Sequence, residues 1–109
     1  MRTDYLDCCE HPTLEVVRSL YQEDHDAEAL MRCTRCQTPW FYRFHAYATT
    51  AGDDLTSWYT RLTNEEAERI LATEDPAALD LDFLKSRQNW MQDDEGPRQV
   101  PGQPSHPWS

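Results

Sequence analysis

The residues with the most chemistry to offer are four cysteines. Cys33-Thr34-Arg35-Cys36 is a C-x-x-C pair, and Cys8-Cys9-Glu10-His11 lies upstream and repeats the spacing as Cys8-x-x-His11. The short spacing lets two ligands on one tight turn point at a single ion, and two such half-sites complete the closed tetrahedron of a structural zinc site. His11 and Cys33 are separated by 21 residues, the layout of a zinc-binding hairpin. The expected cofactor is therefore a structural Zn2+ held by Cys8, His11, Cys33 and Cys36. Adjacent cysteines seldom chelate one ion together, so one of Cys8 and Cys9 is expected beside His11. Cys8 has the matching spacing, Cys9 is the alternative, and Cys8 with Cys9 and no histidine is a third arrangement.

Other chemistries fit these residues less well. All four cysteines would be small buried hydrophobes if the spacing were accidental. A thiol-disulfide pair of the thioredoxin kind places its first cysteine at a helix N-terminus after a strand. Here Gln37-Thr38-Pro39 and a strongly β segment follow instead. A catalytic zinc keeps an open coordination position, and none is left once two half-sites are filled. His25 sits in an acidic turn and His45 on a mixed strand face, neither beside a nucleophile. With only three glycines there is no phosphate-cradling loop. The chain is accordingly expected not to be an enzyme, with a thiol redox enzyme as the last alternative.

The elements that must position the cysteines are few. At 109 residues the chain has room for one domain, and domains of this size often recruit a metal to supplement a modest core. The start of the chain is acidic and lacks an apolar h-region, and no apolar run reaches the roughly 18 residues of a membrane helix. The expectation is a cytoplasmic protein with no membrane contact, in a reducing compartment where thiols bind metal more often than they form disulfides.

Leu14–Tyr21 is rich in β-branched and large residues and reads as a strand. Ala29–Arg32 reads as a second strand, although its residues also suit a helix. Trp40–Ala48 alternates Trp40, Tyr42, Phe44 and Ala46 with Phe41, Arg43, His45 and Tyr47, giving one apolar and one amphipathic face. Ser57–Leu62 is a fourth strand. Thr63-Asn64-Glu65-Glu66 is a capping box that opens a helix through Ala72. A second helix is expected from Pro76 to about Trp90, with Leu79, Phe83 and Leu84 on one face. Gly96, Pro97, Pro101, Gly102, Pro104 and Pro107 then predict a disordered tail or strap, with Trp108 as an anchor.

Charge bears on partners. The net charge is −10, yet residues 29–52 contain Arg32, Arg35 and Arg43 and no acid. An acidic surface favours another protein, preferably a basic one, as partner. A nucleic-acid alternative uses Arg35, Trp40, Tyr42, Arg43 and Tyr47 as a stacking and phosphate-binding surface, against the long-range repulsion of the total charge.

Cys33-Thr34-Arg35-Cys36-Gln37-Thr38-Pro39-Trp40-Phe41, with the upstream half-site, resembles the zinc-ribbon class of small proteins over roughly residues 7–48. The sequence departs from that pattern in having Cys8-Cys9-Glu10-His11 as its first knuckle and Gln37 where many ribbons have glycine. Trp58–Ala67 looks like strand-to-helix passages of small bacterial proteins, some of them immunity or accessory factors. The resemblance implies a non-catalytic, protein-binding accessory or immunity-type module. The expected fold is α+β: a zinc-ribbon-like antiparallel sheet of 3–4 strands with one or two C-terminal helices. It divides into a zinc-binding domain over 1–91 and a Pro/Gly-rich flexible tail over 92–109. The expected core is Val16, Leu20, Trp40, Tyr42, Phe44, Trp58, Leu62, Ile70, Leu71 and Phe83.

Overall fold

The structure, a computed structural model, describes residues 5–49 and 52–102. The chain forms six strands: β1 (Leu14–Gln22), β2 (Asp26–Cys33), β3 (Pro39–Thr49), β4 (Gly52–Arg61), β5 (Gln88–Asp93) and β6 (Gly96–Pro101). They form one sheet in chain order, each neighbouring pair antiparallel. Helix α1 (Asn64–Ala72) and two 3-10 turns (Pro76–Ala78 and Asp82–Lys85) join β4 to β5.

The register assigns each residue to a face. Leu30, Phe41 and Thr60 stand in one row across β2, β3 and β4, while Ala29, Tyr42, Tyr59 and Trp90 stand in the neighbouring row. Side chains alternate across a strand, so these rows face opposite ways. The first face packs Leu20, Leu30, Phe41 and Leu62 against Ala67 and Ile70 of α1 and against Leu81 and Leu84. The second gathers Ala29, Trp40, Tyr42 and Tyr59 with Leu6, and Tyr5, Cys8 and Trp90 pack around them. The irregular segment 5–13 thus covers one face of the sheet, and α1 with the 3-10 turns covers the other.

Helix α1 is closed at both ends. The Thr63 hydroxyl accepts from the Glu66 amide at 3.1 Å, and the Thr63 amide donates to the Glu66 carboxylate at 2.8 Å. This is the expected capping box. At the other end the Arg18 guanidinium reaches from β1 to donate to the carbonyls of Ile70, Thr73 and Glu74. Those carbonyls have no partner within the helix, so a strand residue completes it. Arg87 then grips Glu66 with two hydrogen bonds of 2.7 and 2.8 Å and lies over the Phe83 ring.

The six-stranded meander overturns the expected three- to four-stranded ribbon with one or two helices; the fold is mostly β. The segment expected as a second helix contains two 3-10 turns and then β5, whose Ser57–Tyr59 partners lie about 30 residues back. The expected tail supplies β6. Pro97 and Pro101 are tolerated there because β6 is an edge strand, where a missing amide donor costs little. The Asn89 amide donates to the carbonyls of Val100 and Gly102 and stitches β6 down. Gly102 is constrained more tightly: it has φ +78°, and a Cβ there would sit 2.1 Å from the Lys85 carbonyl oxygen. Residues 103–109, including Trp108, lie outside the described residues.

Two expected core residues are on the surface. Val16, on the edge strand β1, is 57% exposed, and Leu71 is 45% exposed because the buried stripe of α1 runs through Ala67 and Ile70. Phe44 and Phe83 are half-buried.

Candidate metal centre

The C-x-x-C pair sits where β2 ends. Cys33 is its last residue, and Thr34–Cys36 form the turn toward β3. The Cys33 amide donates to the Thr38 carbonyl at 2.9 Å, and the Gln37 amide donates to the Cys33 carbonyl at 2.8 Å. Closing so tight a turn forces Gln37 to φ 67°, the left-handed region in which glycine is unstrained. This accounts for the glycine common at that place in ribbons. The Thr34 amide and hydroxyl both donate to the Thr13 carbonyl, tying the knuckle to the N-terminal segment.

That segment brings the second pair of thiols. One sulfur each from Cys8, Cys9, Cys33 and Cys36 lies within 4.8 Å of every other. A tetrahedron of four thiolates about 2.3 Å from zinc has edges of about 3.8 Å, and Cys9 and Cys33 already stand at that separation, 3.8 Å. Cys33 is fully buried, Cys8 and Cys9 are half-buried, and Cys36 is exposed. The four cysteines are close enough to bind a metal ion together.

Electrostatics divides the four thiols. Burial opposes ionisation of Cys33, but the backbone amides of Thr13, Cys36 and Arg35 outweigh it and hold the thiol down at about 6. The Thr38 hydroxyl lowers Cys36. Desolvation pushes Cys8 up to about 12 and also raises Cys9. Hydrogen bonding thus favours the thiolate at Cys33 and Cys36, desolvation opposes it at Cys8 and Cys9, and a bound cation would favour it at all four.

A buried donor fits a metal here. Trp40 is 1% exposed, and its indole N–H finds no conventional acceptor. Its influence falls on Cys8, whose ionisation it favours. A metal-bound thiolate is a far better acceptor than a neutral thiol, so occupation would satisfy a donor that is otherwise orphaned.

The group brought together is thus the two adjacent cysteines with the C-x-x-C pair. His11 is exposed and stands outside it. Of the expected stacking surface, Trp40, Tyr42 and Arg43 are interior, at 1%, 8% and 4% exposure. The Trp40 and Tyr42 rings form the core beneath segment 5–13. Arg35 is exposed on the knuckle, and the side chain of Tyr47 lies outside what the structure describes.

Sequence reasoning overlooked a buried charged row at the far end of the sheet. Arg43 donates to Glu28 at 2.8 Å and stands 3.7 Å from Asp26, which is hydrogen-bonded to His45. Glu28 is fully buried and Asp26 is 7% exposed. Burial works against the Asp26 carboxylate, but the bond from His45 and the nearby Arg43 charge lower its pKa overall. The available signal was an acid at alternate positions before Leu30, facing Arg43 and His45 once the strands are paired.

Comparison with protein-family models, with curated proteins and with solved structures finds no match to this chain. No helix among the described residues is long and apolar enough to cross a membrane.

Proposed function

We propose that Cys8, Cys9, Cys33 and Cys36 hold one structural Zn2+ as a tetrathiolate. On this reading the chain is a cytoplasmic, non-catalytic module of accessory or immunity type that binds another protein. The supporting observation is the convergence of four sulfurs within 4.8 Å. Soft thiolate donors favour zinc over magnesium or calcium, and four protein ligands leave no open position for catalysis. An excess of 20 acids over 10 lysines and arginines favours a basic partner. The nucleic-acid alternative has less support, because Trp40, Tyr42 and Arg43 are interior.

The test is elemental analysis of protein purified without added metal, with C9S, C36S and H11A variants alongside. One zinc per chain is expected, lost in C9S and C36S and retained in H11A. Loss in H11A with retention in C9S would restore the mixed cysteine-histidine site. No metal in the reduced wild type would end the zinc reading. Partner association is expected to weaken with salt, and a gel shift with single-stranded nucleic acid at low salt would revive the alternative.

A further inference from the structure

The basic residues of an acidic protein normally find acids. Arg43, Lys85, Arg87 and Arg98 each pair with a carboxylate, and Arg18 caps α1. Arg32, Arg35, Arg61 and Arg69 form no ion pair among the described residues, and of these Arg32 and Arg61 share a cleft. Arg32 donates only to the Gln37 carbonyl, at 3.3 Å, and Arg61 forms no ion pair among the described residues. Both line one cleft of about 550 Å³, between the Cys36 knuckle and the junction of β4 with α1. Arg61 also borders a smaller cleft beside Trp40.

Thr63, Asn64 and Glu68 also line the larger cleft. The Thr63 oxygen is engaged by the Glu66 amide, which leaves its hydroxyl proton available to donate. The Asn64 amide supplies further donors. Glu68 pairs with neither arginine. Two guanidiniums stand against one carboxylate here, and Cys36, which also lines the cleft, brings the negative charge of the proposed zinc tetrathiolate to its edge. That neighbour opposes a phosphate, which carries about −1.5 to −2, more than it opposes a single carboxylate. The guanidinium fork also suits the planar two-oxygen carboxylate. A volume of this size admits a chain end or a small organic acid.

We propose that this cleft binds a single carboxylate group through Arg32 and Arg61, with Asn64 and Thr63 as neutral donors. For the source of the carboxylate the proposal rests on the protein-binding reading: the C-terminal carboxylate of the partner anchors here. The rest of the acidic surface would then steer the partner's basic residues around that anchor.

The test is an NMR titration of zinc-loaded protein with an acetylated tripeptide bearing a free C-terminal carboxylate, its C-terminal amide, acetate, and inorganic phosphate. Metal content is measured on the same sample. Saturable shifts at the Arg32, Arg61 and Asn64 side chains are expected with the free tripeptide. They should be at least tenfold weaker with the amide and in both R32Q and R61Q. Because Arg32 also supports the knuckle, R61Q retains the test if R32Q loses metal.

Equal response to acid and amide, unchanged affinity in R61Q, or tighter binding of phosphate would each overturn the proposal. Binding of acetate as tight as the tripeptide's would keep the carboxylate site and remove the peptide source. A protein that lacks zinc yet shows the expected shifts would fail only the metal reading.

Discussion

The two faces of the sheet are covered in different ways. One carries α1, a regular helix that is capped at both ends and clamped by Arg18 and Arg87. The other carries segment 5–13, which has no helix or strand of its own. Its ties include the hydrogen bonds between Thr34 and the Thr13 carbonyl, the packing of Tyr5, Leu6 and Cys8, and the convergence of Cys8 and Cys9 on the knuckle. A regular element can be held by packing and caps alone. An irregular one gains far more from a metal, because its backbone is costly to order and few of its bonds repay that cost.

The largest effect should come from the cysteine side. On the zinc reading, removing the metal with a chelator, or substituting Cys33→Ser, is expected to lower Tm by at least about 10 °C, since a structural zinc would contribute directly to folding and each kcal/mol moves Tm by about 4–8 °C. Thermal unfolding with and without chelator measures this. Hydrogen exchange should show segment 5–13 losing protection before α1 does. Simultaneous loss on both faces would break the contrast between them.

The helix face should respond to packing instead. Ile70 is 2% exposed in the core under α1, so Ile70→Ala is expected to cost about 2–4 kcal/mol in denaturant unfolding while metal content is unchanged.

A smaller loss, about 1–2 kcal/mol, is expected for Arg87→Ala, which removes the paired hydrogen bonds to Glu66. The Arg87 guanidinium holds the Glu66 carboxyl below its ordinary value. A lowered carboxyl stabilises the fold fully above its unfolded pKa of about 4.3, and that contribution is lost as pH falls through the lower folded value. Wild type should therefore lose stability below about pH 4.5 more steeply than Arg87→Ala. Identical acid limbs in the two proteins would show that the pair does not act this way.

The smallest effect sharpens the account of the knuckle. Gln37→Gly relieves a left-handed backbone and should stabilise the metal-loaded protein by about 0.5–1 kcal/mol, net of glycine's greater freedom when unfolded. Destabilisation would mean that the Gln37 side chain, which donates to the Thr34 carbonyl at 3.4 Å, matters more than its backbone.

Much of the first half was legible because its signals are local. β1, read from its β-branched and large residues, and β3, read from alternation, begin and end within about a residue of the expected positions, and the capping box places the start of α1. The second half was not. Gln88–Asp93 carries no pattern that distinguishes strand from helix, and it becomes β5 because β4 offers an open edge. Glycines and prolines that suggest a loose tail become a hairpin turn and an edge strand once Arg98 grips Asp93 and Asn89 holds the Val100 carbonyl.

At the cysteine cluster the sequence alone determined the C-x-x-C knuckle, since two thiols on one turn are a matter of spacing. It showed Gln37 where many ribbons have glycine, but the left-handed backbone that explains this came from the structure. Which upstream residues face that knuckle was decided only by the tertiary structure. Segment 5–13 is irregular and has no period from which side-chain direction could be read. Leu6 and Tyr5 settle its path by packing on Tyr59 and the aromatic face, and that path carries the sulfurs of both Cys8 and Cys9 toward Cys33 while His11 stays exposed.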